Sequence, residues 1–276
     1  MKSLKGKTFP YLNKGFVEVI DYMGDDTSLA MAARASFNKK EYKSKEANIG
    51  LINYLIEHKH SSPIEMGEII FRVKVPIFVA RQHMRHRTAS INEQSLRYVE
   101  HDGDYYIPTK ERIRYQHEHK KQGSGDTMPE HIAETVLEIF ENTAKTCWKN
   151  YDLLIKAGVA LELSRAILPV SSYTTLVWKM DLHNMLHYLN LRMDAEHAQS
   201  EIVDLANIFA SVIQDLFPET YKAWEEFVKD SVTFSATEVK VLKKLLNGVL
   251  KMEDLENDDF VMGSKRRMET FLKKVS

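Results

Sequence analysis

Between residues 15 and 24, GFVEVIDYMG alternates apolar with polar positions and predicts a strand that stops at Gly24. Asp26 then stands where it would cap a helix carrying Leu29, Met31, Ala32 and Ala35. In IGLINYLIEHKH, Leu51, Tyr54, Leu55 and His58 recur at helical spacing, which predicts the next helix. EIIFRVKV returns to strand alternation, with Phe71, Val73 and Val75 set against Arg72 and Lys74. Pro76 ends that strand and suits a first helical turn, so PIFVARQHMRHR is expected to run as a helix straight off it. HEHKKQGSGDTMPE, residues 117–130, reads as an exposed loop in which His117 and His119 are solvated. A long helix follows. Its stripe of Ile132, Val136, Leu137, Phe140, Cys147, Trp148, Tyr151 and Leu154 is expected to pack in the core, with the thiol buried and unreactive. A later helix carries Met185, Leu186, Leu189 and Met193 as its stripe. Phe234, Ser235, Glu238 and Val239 form a capping box with a hydrophobic staple, opening a helix that Gly248 closes. The acidic MEDLENDD and basic KRRMETFLKK runs that follow read as solvated faces or as a tail docking on a neighbour.

Composition narrows what these elements can be doing. With 276 residues and 43% hydrophobic content, the chain can bury a real core in one large domain or two small ones. Its 38 Lys+Arg against 39 Asp+Glu leave a net charge of -1, so no global field draws it to nucleic acid or to an anionic membrane. A single cysteine, Cys147, excludes an intramolecular disulfide and any CxxC site, which fits a reducing compartment. No apolar signal core or bilayer-length run occurs, so a cytoplasmic protein without a membrane partner is expected.

Against that neutral background, RQHMRHRTASINEQSLRY, Arg81 to Tyr98, is a local concentration of hydrogen-bonding groups. Gln82, Arg85 and His86 share one face of the expected helix. After Arg87 the apolar stripe ends, and the hydroxyl, guanidinium and backbone NH groups lie close enough to wrap an anion. Ser90 and Glu93 also have the spacing of a capping box for a short helix. That alternative leaves Arg85, Arg87 and Arg97 unexplained, since Glu93 is the only acid near them, and unpaired arginines in that density suit phosphate or carboxylate.

Arg85-His86-Arg87, seven residues, then Ser95 resembles the RHRx7S signature of the flavin-dependent thymidylate synthases. HSSPIEM (60–66) is similar to that family's HxTPxEH segment, SRAILPVSSYT (164–174) to its arginine-leucine-proline segment, and LNLRMDAEHAQSEI (189–202) to its LNLRxxxxAQxEI helix. The resemblance implies an α+β fold with a mixed sheet and a mainly helical C-terminal half. It also implies a synthase domain over residues 1–218, leaving 219–276 as a helical extension of unknown role. The implied reaction is the reductive methylation of dUMP to dTMP. FAD would be the cofactor, with NADPH and methylenetetrahydrofolate as co-substrates, in a homotetramer with shared active sites. Carried over residue by residue, Gln82, Arg85, Glu93, Gln94, Ser95, Leu96, Arg97, Arg165 and Arg192 would hold dUMP, with Arg192 catalytic at the uracil edge. Ser36, His60, Ser62, Glu65, Arg85, His86, Arg87, Asn92, Glu93, Asp181, His183 and His187 would contact FAD.

The chain departs from the family at Met66, Asp181 and His183, and five residues rather than four separate Arg192 from Ala198. His187 also reads as an ordinary buried histidine, and Arg192 as a surface partner of Glu196 at i+4. Two other functions compete. The i, i+4 pairs His183/His187 and His197/Glu201 could mark a metal-dependent helical enzyme, although the segment has no HExxH or ExxH pattern and no metal is expected. Arginines beside Tyr98, Tyr105 and Tyr106 could serve a single-stranded nucleic-acid-binding module, which the neutral net charge disfavours.

Overall fold

The computed structural model describes residues 3–36, 43–118, 123–195, 197–251, 255 and 264–275. Glu196, His119 and the acidic residues of the 252–259 run lie outside them. The chain forms two compact units, Met1–Trp224 and Glu225–Ser276.

The first unit is built on a five-stranded sheet. Strands β1 (Thr8–Tyr11), β2 (Gly15–Met23) and β3 (Glu68–Pro76) lie side by side, followed by a late strand at Tyr173–Asp181 and a short one at Ser90–Glu93. Every pairing in it is antiparallel, so the expected mixed sheet is corrected to an antiparallel one within the α+β class. Between β2 and β3 run α1 (Asp26–Ala35) and α2 (Lys45–Glu57). Asp25, not Asp26, caps α1, with a reciprocal bond from Ser28. The Asp26 carboxylate is engaged elsewhere, accepting from the Glu219 and Thr220 amides and the Thr220 hydroxyl at 2.7–3.0 Å. In α2 the buried side chains are Ile52, Leu55 and Ile56, while Tyr54 lies outside, stacked between His58 and His60.

Helix α3 (Ile77–His83) leaves β3 at Pro76 as expected but ends at His83 rather than Arg87. The chain then turns back, and Ser90–Glu93 pairs as β4 along the late strand. The Ser90/Glu93 capping box is therefore wrong: the partner that makes this segment a strand lies more than eighty residues away, and no local pattern announces it. Next come the hairpin β5 (Arg114–Gln116) and β6 (Ser124–Thr127), which replaces part of the expected 117–130 loop, and α4 (Glu130–Lys156). Of the α4 stripe only Tyr151 is buried, along with Ala133 and Ala144, and Phe140 is 40% exposed. Cys147 is half-buried rather than buried. Helix α5 (Leu161–Ser164) leads to β7 (Tyr173–Asp181), then α6 (Leu182–Arg192), α7 (Ser200–Leu216) and α8 (Pro218–Trp224).

The core lies where the inward positions of β3 and β7 meet the apolar faces of α6 and α7. Phe71, Trp178 and Phe209 are fully buried against one another, with ring centroids 4.7–6.1 Å apart, and Tyr188 packs on Trp178 and Phe209 from the α6 side. Rings in such offset and tilted arrangements add to the large apolar area each one removes from water. In the second unit, the Ser235/Glu238 capping box opens α9 (Ala236–Leu246), and Gly248 follows its end with φ +67°. Val241, Met268 and Phe271 form a small core between α9 and α10 (Lys265–Val275), joined by Phe234, and Lys274 donates to Glu238 at 2.7 Å. The basic run is thus a helix whose apolar face docks on α9, rather than a wholly solvated face.

Candidate active site

The end of α3 and the end of α6 converge beside the edge of the core. His83, on the last turn of α3, is fully buried, with Nδ1 3.1 Å from the Tyr188 hydroxyl. One turn on, the His86 ring packs on Tyr188 with centroids 4.4 Å apart, and its Nε2 accepts from Arg192 Nε at 3.0 Å. A guanidinium always donates, so this bond requires the Nε2 lone pair and hence an imidazole that is not doubly protonated. Burial, then the Arg192 charge and His187, lower the His86 pKa to about 4, which keeps the ring neutral near pH 7. Arg192, half-buried at the C-terminal end of α6, also donates through Nη2 to the Gln82 carbonyl at 3.4 Å. The Gln82 side chain donates in turn to the Gln199 side-chain carbonyl, just ahead of α7. Gln82, Arg192 and Gln199 line a cavity of about 960 Å³ together with Arg112, Ser200 and Glu201.

The second cluster is the loop after β4. Gln94 N donates to Thr175 O at 2.8 Å, and Glu93 accepts from the Thr174 hydroxyl at 2.7 Å, so β7 holds the start of the loop. The Ser95 hydroxyl accepts from Arg97 Nε at 3.0 Å, while Tyr98 and Val99 N–H groups close a turn onto Ser95 O. Arg97 lies 5.2 Å above the Tyr98 ring, exposed. The loop's far end is fixed by Lys74, which donates to Asp102 and Asp104, each at 2.6 Å. Gln94 and Leu96 line a small hollow beside Lys74, separate from the cavity that holds Gln82 and Arg192.

The structure thus brings together Gln82, His86 and Arg192, and separately Glu93, Gln94, Ser95, Leu96 and Arg97. Arg85, Arg87 and Asn92 are exposed between the two groups in sequence, and Arg165 is exposed with Nε donating to Glu162 O at 3.3 Å. Ser36 ends α1, and His60, Ser62 and Glu65 stand exposed before β3. Asp181 caps α6, accepting from Asn184 N at 2.9 Å and from the Asn184 side chain at 2.7 Å. His183 and His187 are exposed, which removes the reading of His187 as a buried core histidine. The His197/Glu201 pair does not face one ligand: His197 lies 2.8 Å from Asp194, whereas buried Glu201 accepts from Tyr106 at 2.6 Å. Gln199, Glu201, Arg112 and Lys74 were not among the expected nucleotide or flavin contacts, and Glu201 was read only as half of a metal-binding pair with His197. The first two sit inside the quoted LNLRMDAEHAQSEI segment and were legible there; Arg112 and Lys74 act through partners distant in sequence.

The chain as a whole is similar to known proteins. The family model described as thymidylate synthase complementing protein matches residues 18–219. A flavin-dependent thymidylate synthase from Ehrlichia ruminantium (strain Gardel) is 40% identical over 263 residues, 95% of this chain and 86% of the relative. One from Ruegeria pomeroyi is 43% identical over 252 residues, 90% of this chain and 83% of the relative. Among solved structures, the UMP/dUMP methylase PolB from Streptomyces cacaoi, bound with 5-Br dUMP, superposes with a TM-score of 0.72 at 29% identity, covering 80% of this chain and 99% of that one. The family model over residues 18–219 and these relatives at 40% and 43% identity place the chain in the flavin-dependent thymidylate synthase family, to which it belongs.

Proposed function

We propose that this synthase converts dUMP to dTMP with FAD as its flavin, and with NADPH and methylenetetrahydrofolate as co-substrates, in a cytoplasmic homotetramer whose sites are shared between subunits. The observation that carries the reading is Arg192, held at the cavity wall by neutral His86 and the Gln82 carbonyl. A guanidinium fixed by two acceptors that carry no charge keeps its full positive charge available to a uracil ring as negative charge develops there. Such preorganised stabilisation is worth about 3–4 kcal/mol per donor removed. Exposed Arg97, set by Ser95, suits the dUMP phosphate, with Gln82, Arg85, Glu93, Gln94, Leu96 and Arg165 completing the nucleotide contacts.

The donor set also fits FAD. Arg85 and Arg87 are exposed and have no ion-pair partner among the described residues, so their donors are available to a diphosphate. Ser36, His60, Ser62 and Asn92 add exposed hydroxyl, imidazole and amide groups, and Glu65, His183 and His187 lie on the neighbouring elements. Asp181 and Glu93 already accept protein hydrogen bonds, so their share of the flavin contacts is reduced. When bound, FAD supplies the hydride that the methyl transfer consumes. The test is spectroscopic and kinetic. Purified protein should show a visible flavin band and raise its melting temperature on FAD addition. It should make dTMP, with Arg192→Ala lowering turnover at saturating dUMP by about 100-fold or more. Absence of both flavin binding and dTMP formation would refute the reading.

A further inference from the structure

We infer that Glu201 is a positioning residue for this reaction: it fastens the first turn of α7 and, through Gln199 and Gln82, sets the seat of Arg192. Its carboxylate is buried and accepts from the Tyr106 hydroxyl at 2.6 Å and from Ser200 Oγ at 3.3 Å, and lies 3.4 Å from Arg112 Nη1. Its backbone carbonyl accepts from the Tyr11 hydroxyl at 2.7 Å. One residue therefore ties the start of α7 to the end of β1, to the segment that pairs with Ser172 through Tyr105, and to the turn before β5. The carboxylate also sits in the first turn of a helix, where the exposed N–H ends favour negative charge.

The path from this anchor to the reacting group is short and continuous. Two residues before Glu201, Gln199 accepts from the Gln82 side chain, and Gln82 accepts from Arg192 through its carbonyl. Gln199 has no side-chain bond capping α7, so its amide is free to serve Gln82. Glu201 hydrogen-bonds to neither Gln82 nor Arg192, although it borders the same cavity as both. Removing its carboxylate does not strand a charge, because Arg112 stays paired with Asp204. What is lost is the placement of Gln199. Misplacement of a reacting group by about an ångström can cost on the order of 100-fold in rate.

The inference rests on the reading of Arg192 as catalytic, and one of its tests does not. In kinetics, Glu201→Ala is expected to lower turnover at saturating dUMP by at least about tenfold with FAD binding intact, and Glu201→Gln, which keeps an acceptor for Tyr106, should restore most of it. The turnover losses of Glu201→Ala and Gln199→Ala should fail to add in the double variant, as expected of two groups acting through one contact. In hydrogen exchange, which needs no turnover, Glu201→Ala should speed amide exchange at residues 82–86, a segment to which Glu201 does not hydrogen-bond. Should Glu201→Ala fail to fold, Tyr106→Phe removes the shortest of the carboxylate's hydrogen bonds and should give a weaker form of the same pattern. Additive turnover losses, or folded variants with wild-type exchange at 82–86, would overturn the inference. An inactive wild type would refute the function proposed above while leaving the exchange measurement to decide the relay.

Discussion

Replacing His83 with glutamine should flatten the acid dependence of stability in the first unit. The imidazole is fully buried, its ring lies 4.4 Å from that of Trp178, and its Nε2 has no hydrogen-bond partner among the described residues. Burial, and then the neighbouring His86 and the Arg192 charge, lower its pKa to about 3. In the unfolded chain a histidine titrates near 6.5. Between those values the unfolded state binds more protons than the native state, so stability is full above about pH 6.5 and falls as pH drops through the window. Worked through the linkage relation, His83 costs about 2 kcal/mol at pH 5 relative to pH 8. His86 acts in the same direction, but it is only half-buried and is weighted at about 1 kcal/mol for solvent screening. Between pH 8 and pH 5 the wild type should therefore lose about 3 kcal/mol through these two groups, and His83→Gln about 1 kcal/mol. Glutamine can keep a bond to the Tyr188 hydroxyl, and whatever packing it loses against Trp178 is independent of pH. The assay is urea unfolding at both pH values, followed by fluorescence of the three tryptophans, Trp148, Trp178 and Trp224, all in the first unit. An equal loss of stability in wild type and variant would refute the account.

Arg97→Ala should raise the KM for dUMP by about 10- to 100-fold with turnover nearly unchanged, since a phosphate contact is made in ground and transition states alike; steady-state kinetics decides. Asp26→Ala removes three hydrogen bonds at the start of α8 and leaves buried Thr220 unpaired. The loss should be about 3 kcal/mol, lowering the melting temperature by roughly 6–12 °C in calorimetry. Asp26→Asn, which keeps an acceptor, should lose less than half of that. Phe140→Glu, on the exposed side of α4, should shift the proposed tetramer to smaller species in light scattering while the monomer fold, read by circular dichroism, stays intact.

How much of this was legible in the sequence depended on how far away each residue's partner lay. Strands β2 and β3 and the helix that leaves Pro76 follow from alternation and proline geometry within a few residues, and the Ser235/Glu238 box is wholly local. Local chemistry misled where a distant partner outbid it. Asp26 has the right type and position to cap α1, but Asp25 takes that role and Asp26 serves a helix 193 residues on. Ser90 and Glu93 have capping-box spacing, yet β7 offers them a full ladder. The RHR and LNLR motifs identified His86 and Arg192 but not their mutual contact, because the bond between them joins positions 106 apart.

The long stripe on α4 poses a different problem: Tyr151 is buried, most of its other members are half-buried and Phe140 is 40% exposed. Off the stripe, Ile139 is 59% exposed and Leu153 54%, and Leu163, Ile167 and Val170 beyond the helix are also exposed. A helix whose apolar face finds no cover in its own chain retains a driving force of about 1.5–3 kcal/mol for each large side chain that a second surface could bury. The chemistry has a matching gap. The loop bearing Arg97 and the wall bearing Arg192 border separate hollows, although in the proposed reading one nucleotide meets both, its phosphate at the loop and its base at Arg192. Association of copies would answer both at once, covering apolar surface while bringing the loop of one copy to the arginine of another. That is why the proposed homotetramer belongs to the mechanism: a monomer with these residues would hold a preorganised Arg192 and a phosphate loop that do not share a substrate.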